Sequence, residues 1–446
     1  MPSILIESPK IQINDEMTTA HILTEDGVIK RISKLRPTQR ADLTIDGRKL
    51  IALPGMIDAH VHLRDLELSY KETFETGTQA AAAGGFTTVI DMPNTRPPTV
   101  TSQRLTEKIS VAEGRLFANV AFQCALVADL VEIERMKRAG AIAFKLYMNK
   151  ALETFDSGNQ ASLQEALQSA RRSNVLVTVH AEECDSIRRV QQELVSEGRT
   201  TVRDFLKAHD PRFELAAVRR IVGLRRGELP RVHFCHITVR NAVKRILRTP
   251  NATCEAAAHH LLLNQSVFRK LKTLPMCVPP IRSEKNRREL WRLFAGGQVN
   301  ILASDHAPHT LDEKTKANAW DAATGVPGLE TSLPVLFTQV TKRRLSLKRL
   351  VEATAALPSK IFRLKGKGAL TEGFDADIVL VDPKDRFRVK PENFLSKAKF
   401  SPFKGVECVG RAAFTIVGGT LVAERGRIVG PAAGSVIRGD GFSISC

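Results

Sequence analysis

The run Pro54-Gly55-Met56-Ile57-Asp58-Ala59-His60-Val61-His62-Leu63-Arg64-Asp65 places two imidazoles and a guanidinium at intervals of two residues. Side chains alternate along a β-strand. His60, His62 and Arg64 are therefore expected on one face, and Val61 and Leu63 on the other. Two imidazoles side by side can hold one metal ion, and a guanidinium just beyond them can grip an anionic substrate through two hydrogen bonds. The plain alternative is an alternating strand with three solvated polar residues. The apolar, Gly- and Pro-bounded run before the pair argues against it, because such runs belong inside α/β domains.

Further chemistry-bearing residues close other apolar runs. Asp91-Met92-Pro93-Asn94 ends one, Lys145 sits in another, and His180, His236, Glu255 and Asp305 each end one more. Taken singly, a strand-end histidine reads as a hydrogen-bonded core residue. Together, four His, one Asp and one Lys suit a metal centre, since borderline divalent ions prefer imidazole and carboxylate ligands. Lys145 is the odd member, because a cationic amine binds no metal. Either its head reaches solvent or a carboxylate, or the amine has reacted with carbon dioxide to give an anionic carbamate able to bridge two ions. Composition alone does not carry the second reading.

The elements that must position these residues follow from the order of patterns. Residues 1–50 read as short strands and turns, including Ile4–Ile6, Ala20–Leu23 and Val28–Ile29. From Ala52 strands and helices alternate. After the opening strand come runs at Thr87–Met92, Phe117–Cys124, Ile142–Met148, Leu176–His180, Arg231–His236, Ala252–Ala256 and Val299–Ser304, with helical stretches such as Tyr70–Ala83, Ser162–Ser173, Glu214–Arg225 and Glu284–Phe294 between. Eight such units predict an α/β fold, a (β/α)8 TIM barrel, whose chemistry gathers at the C-terminal strand ends. An open doubly wound sheet is the runner-up, but no Gly-rich phosphate fingerprint follows the first strand. Strand-like runs return at Ala376–Val381 and Phe414–Gly419. The expected division is residues 53–366 as barrel, with 1–52 and 367–446 joined in one small β-sandwich.

Bulk properties narrow the function classes. The net charge is +18 over 446 residues. The basic pairs are spread over helical stretches, with no basic tail and only two Tyr and two Trp for base stacking. A solvated basic surface that attracts small anions is expected, not a nucleic-acid partner. No apolar run approaches the length of a membrane span, and the first residues lack signal-peptide regions. Seven scattered Cys without CxxC pairs fit a reducing cytoplasm.

The motifs His60-Val61-His62-Leu63-Arg64-Asp65, Asp91-Met92-Pro93-Asn94-Thr95, Lys145-Leu146-Tyr147, His180-Ala181-Glu182, Cys235-His236, His259-His260, Ser304-Asp305-His306-Ala307-Pro308-His309-Thr310 and Pro327-Gly328-Leu329-Glu330-Thr331 occur in this order over nearly the whole chain. In order and spacing they resemble the amidohydrolase superfamily and, within it, the dihydroorotases of the cyclic-amidase group. The Lys145-Leu146-Tyr147 run resembles the carboxylated-lysine type.

The resemblance implies two divalent metal ions, zinc being the expected one. His60, His62 and Asp305 would bind the first, His180 and His236 the second, and a carbamate on Lys145 would bridge them. It further implies that a hydroxide held by the metals opens the ring amide of dihydroorotate, or closes N-carbamoyl-L-aspartate in reverse, a step of pyrimidine (UMP) synthesis. Asp305 would be the acid/base. Arg64, Asn94, His309, Thr324 and Gly325 match substrate contacts. Cys235 and Glu255 match a third metal position of the multifunctional pyrimidine enzyme of animals, although a buried strand Cys and an ion-pairing Glu are ordinary. A homo-oligomer, or association with aspartate transcarbamoylase, would also fit.

Two features depart from the pattern. Val278 replaces a polar residue before Pro279-Pro280-Ile281-Arg282, which brings Cys277-x-Pro-Pro-Ile-Arg closer to allantoinases, and Ala258 replaces a Pro before His259-His260. The loop after Lys145 would close over substrate with Thr154-Phe155 at its tip, a segment to which no role is assigned. Allantoinase or hydantoinase is the rival activity. A non-catalytic scaffold is a weaker rival, because the six metal-ligand positions are all present.

Overall fold

The computed structural model describes residues 2–13, 16–149, 152–223 and 229–442. Seven short strands come first: β1 (Ile4–Glu7), β2 (Lys10–Ile13), β3 (Glu16–Thr19), β4 (His21–Glu25), β5 (Val28–Ser33), β6 (Leu43–Asp46) and β7 (Ile51–Pro54). The parallel barrel strands follow: β8 (Met56–Val61), β9 (Phe86–Asp91), β10 (Asn119–Ala125), β11 (Ala143–Tyr147), β12 (Leu176–His180), β13 (Arg231–Phe234), β14 (Ala252–Ala257) and β15 (Ile301–Ala303). The chain closes with β16 (Ile378–Arg388), β17 (Glu407–Val417), β18 (Thr420–Glu424), β19 (Arg427–Ile428) and β20 (Val436–Ile437).

Strands β8 to β15 pair in sequence order, each parallel to the next. A parallel bridge between Val61 and His306 brings the ends of the series together. The result is the (β/α)8 TIM barrel expected from the alternation of patterns. Its strands are buried along nearly their whole length because helices cover the outside and side chains fill the inside. The helix at Phe74–Ala83 starts four residues later than the apolar pattern suggests. Thr73 caps it by accepting from the Thr76 amide, which leaves Lys71 and Glu72 on the preceding loop. The helix over Pro211–Val222 ends before Arg225, which lies outside the described residues together with Arg226.

The terminal segments meet in one sheet. Strand β16 runs antiparallel to β7, with Ile378 opposite Pro54, so a C-terminal strand sits beside the strand that feeds the barrel. That seven-stranded sheet, ordered β19-β18-β17-β16-β7-β2-β3, faces the four-stranded β5-β4-β1-β6 sheet. Ile4, Ile6, Ile22, Ile29, Ile45, Ile378, Leu380 and Ile416 fill the space between them. The alternate residues Val379 and Val381 of β16 join the barrel's own core. The end of the chain leaves the sandwich, and β20 pairs with β10 of the barrel, Val436 opposite Val120.

Candidate metal centre and substrate cleft

The polar residues arrive at one barrel mouth by irregular backbone. Between β8 and β9 the register shifts from Asp58↔Val89 to Val61↔Asp91, three steps against two, so an extra residue bulges out beside His60. A bulge re-aims side chains. The strand then stops at Val61, and Arg64 follows with φ 61°. The expectation that His60, His62 and Arg64 share one face of a regular strand is therefore corrected. His60 sits in the bulge, His62 just past the strand with its amide on the His306 carbonyl at 2.8 Å, and Arg64 in a left-handed turn. His236 (φ 34°) and Asp305 (φ 49°) also have positive φ, one just beyond β13 and the other just beyond β15. Three strained non-glycine residues around one mouth mark a site held by its surroundings.

The first ligand set converges. His60 Nδ1 hydrogen-bonds Glu255 Oε1 at 2.6 Å and His62 Nδ1 hydrogen-bonds Asn94 Oδ1 at 2.7 Å. Each ring therefore turns Nε2 towards Asp305 Oδ1, at 3.5 and 3.6 Å. Ligand atoms of His60, His62 and Asp305 all lie within 4.8 Å of one another. Burial pushes the His60 imidazole down to about 4, helped by the Lys145 cation, and pushes His62 well below its ordinary value. Both are thus the neutral imidazoles that a metal requires.

The second pair is His180 and His236, with His180 Nδ1 3.0 Å from His236 Nε2. His180 Nε2 is anchored on Glu182 Oε2 at 3.0 Å, and Glu182 Oε1 on His209 Nδ1 at 3.0 Å. Lys145 lies below, 1% exposed. Its polar contact is Cys235 Sγ at 2.9 Å, and no carboxylate stands within ion-pair distance among the described residues. Glu255 is fully engaged: Oε1 takes His60 and the His236 amide, and Oε2 takes His233 Nε2 at 3.0 Å. His60, Cys235 and Glu255 nevertheless form a second compact group of possible ligands.

Above these residues opens a cleft of about 460 Å³. His60, His62, His180, His236 and Asp305 form its floor, and Arg64, Asn94, Val278, Thr324 and Gly325 are on its walls. Arg64 is 8% exposed. Its guanidinium faces His309 Nε2 at 3.4 Å. Lys71 donates to His309 Nδ1 at 3.1 Å, so Nε2 carries the ring proton and gives it to the Thr324 carbonyl at 3.2 Å. His309 is thereby a neutral spacer between two cations, and burial with Arg64 and Lys71 beside it keeps it so. Leu152 and Glu153 reach the cleft, whereas Thr154 and Phe155 line a neighbouring cavity of about 440 Å³.

Sequence reasoning did not assign Glu182, His209, His233, Lys71 or Tyr147. Glu182 stands two residues after His180, a spacing that carries a signal. His209 and His233 meet Glu182 and Glu255 only through the fold, and carry none. The Tyr147 hydroxyl lines the cleft, buried and without a partner.

Comparison with known proteins agrees with this geometry. The amidohydrolase family profile matches residues 51–422. A dihydroorotase of Methanothermobacter thermautotrophicus is 36% identical over 93% of each chain. An L-hydantoinase of Paenarthrobacter aurescens is 32% identical over 96% of each. The solved L-hydantoinase (dihydropyrimidinase) from Arthrobacter aurescens superposes with a TM-score of 0.93 at 32% identity, over 98% of this chain and 100% of that one. With four buried histidines and Asp305 at the mouth of a (β/α)8 barrel, the chain belongs to the amidohydrolase family, as a metal-dependent cyclic amide hydrolase.

Proposed function

We propose that this enzyme is a dihydroorotase, interconverting N-carbamoyl-L-aspartate and dihydroorotate in pyrimidine synthesis. The observation that carries the reading is Arg64. Its guanidinium is buried on the cleft wall, its Nε has no partner, and no carboxylate pairs with it among the described residues. A buried, unpaired cation is costly, and a substrate carboxylate at that position would remove the cost. An uncharged hydantoin would not. Asn94, His309 and the Thr324–Gly325 backbone surround the same position.

The residues fit two divalent cations, zinc among the ions that His and carboxylate donors suit. His60 and His62 would hold one through Nε2 with Asp305, and His180 Nδ1 with His236 Nε2 would hold the other. Lys145 as a carbamate would stand between them, which also resolves a buried ammonium that lacks an anion. Such ions, when bound, activate water and polarise the amide carbonyl. Asp305 would take the proton from the attacking water and deliver it to the leaving ring nitrogen. Burial raises its carboxyl above the usual range, which suits a group that must both accept and release a proton. We assign Glu255 to orienting His60, because both its oxygens are already used.

Val278 favours a second reading, a hydantoinase- or allantoinase-type activity, since it gives the cleft an apolar wall where a hydrogen-bonding residue would read the ring. The test compares purified enzyme on dihydroorotate, on allantoin and on an uncharged 5-substituted hydantoin. The expected result is turnover of dihydroorotate with kcat/KM at least about tenfold above the others, the value of one good charged contact. Faster turnover of either uncharged ring overturns the proposal.

A further inference from the structure

A second group of metal-type side chains lies outside the centre described above. His259 and His260 sit on the short helix Ala258–Leu262 and Cys277 on the loop that faces it. Ligand atoms of all three lie within 4.8 Å of one another, and all three residues are buried. The two imidazole rings are 4.2 Å apart, and Cys277 Sγ is 3.7 Å from His260 Nε2. Ligand atoms of a tetrahedral zinc are about 3.3–3.8 Å apart, given Zn–S ~2.3 Å and Zn–N ~2.0–2.1 Å. His259 Nε2 and His260 Nδ1 are buried with no hydrogen-bond partner. Orphaned buried nitrogens call for an explanation, and His259 Nε2, orphaned beside a thiol and a second imidazole, points to a ligand.

We propose that His259, His260 and Cys277 form a separate cation site, suited to an ion that accepts a thiolate, such as zinc, and that its occupation acts on the substrate cleft through Val278. Cys277 gives up its thiol proton to solvent as the sulfur–metal bond forms. At present His260 Nε2 and Cys277 Sγ both donate to the Pro279 carbonyl, at 2.9 and 3.2 Å. A cation would take over those atoms and release that carbonyl. Val278 lies between Cys277 and Pro279 and lines the cleft, so the wall moves with the loop. Lys314 is the opposing charge. Its ammonium donates to the carbonyls of Met276, Ala323 and Gly325 at 2.7–2.9 Å.

The experiment titrates Co2+ into the holoenzyme already carrying its resident ions and follows thiolate-to-cobalt charge-transfer absorption, metal content and turnover. One further equivalent is expected to bind with a charge-transfer band, and turnover is expected to fall as the band grows. The band should persist in Cys235→Ser and vanish in Cys277→Ser. His259→Gln keeps the thiol and should weaken this equivalent at least about tenfold while the resident ions stay, a result that serves as witness if Cys277→Ser fails to fold. Absence of the band in the parent enzyme, or its survival in Cys277→Ser, overturns the site. A saturated band with unchanged turnover overturns the coupling through Val278.

Discussion

A guanidinium buried without a carboxylate beside it waits for an anion, and Arg64 is such a group. A charge-assisted contact to a substrate carboxylate contributes about 1.5–3 kcal/mol. Arg64→Met should therefore lower kcat/KM for dihydroorotate by about 10- to 100-fold. Turnover of an uncharged cyclic imide should scarcely change, and parallel assays check the difference. Equal losses on both substrates would mean that Arg64 supports the site's structure. The identity of this residue was legible in the sequence; its placement was not. Period two put it on the strand, whereas a bulge beside His60 and a left-handed turn at Arg64 bring it to the cleft. Nothing in a single sequence marks a non-glycine residue for positive φ.

At the scale of elements, loops after different strands are pinned to one another. Asp91, at the end of β9, accepts the Leu63 amide at 2.7 Å. It also pairs with Lys108 at 2.6 Å, both side chains being 0% exposed. Lys108 donates to the Met92 carbonyl at 2.9 Å. This ion pair holds the turn that carries His62 and Arg64. The helix Ser102–Ala112 buries Leu105, Ile109 and Ala112 on the same stripe as Lys108, so a lysine at an apolar position of the pattern was the available signal. Lys108→Met strands a buried carboxylate and should cost about 3–5 kcal/mol of stability. Adding Asp91→Leu should restore most of that stability but leave the Leu63 amide unpaired. The double variant should then show a raised KM with kcat less affected, read from unfolding curves and steady-state kinetics. If the double variant has wild-type KM, the pair serves stability alone. The strand order was readable because each barrel strand falls in a short run rich in apolar residues, separated from the next by a helical pattern. The Glu182–His209 and Glu255–His233 contacts were not, because they join residues 20 or more apart through the fold.

At the scale of the molecule, barrel and sandwich share buried polar groups as well as a sheet. Asp377 stands just before β16. Its carboxylate accepts the Gly418 amide at 2.8 Å and Lys367 Nζ at 2.6 Å. It also accepts Asn119 Nδ2, on β10 of the barrel, at 3.1 Å. Asn119 in turn donates to the Thr87 carbonyl on β9 and accepts the Ser435 amide ahead of β20. One carboxylate thus ties sandwich, barrel and returning tail. Attractions to Asp377 and Asp375 outweigh burial and hold the Lys367 ammonium above its ordinary value. Asp377→Asn keeps the shape and removes the charge. Lys367 retains Asp375 at 2.8 Å, so the expected loss is that of charged hydrogen bonds, about 1.5–3 kcal/mol, not of a stranded ion. Because the carboxylate bridges both layers, calorimetry should show one transition moved to lower temperature. An early separate peak, with the barrel's peak unmoved, would mean that the sandwich unfolds on its own and that the shared sheet does not couple the two.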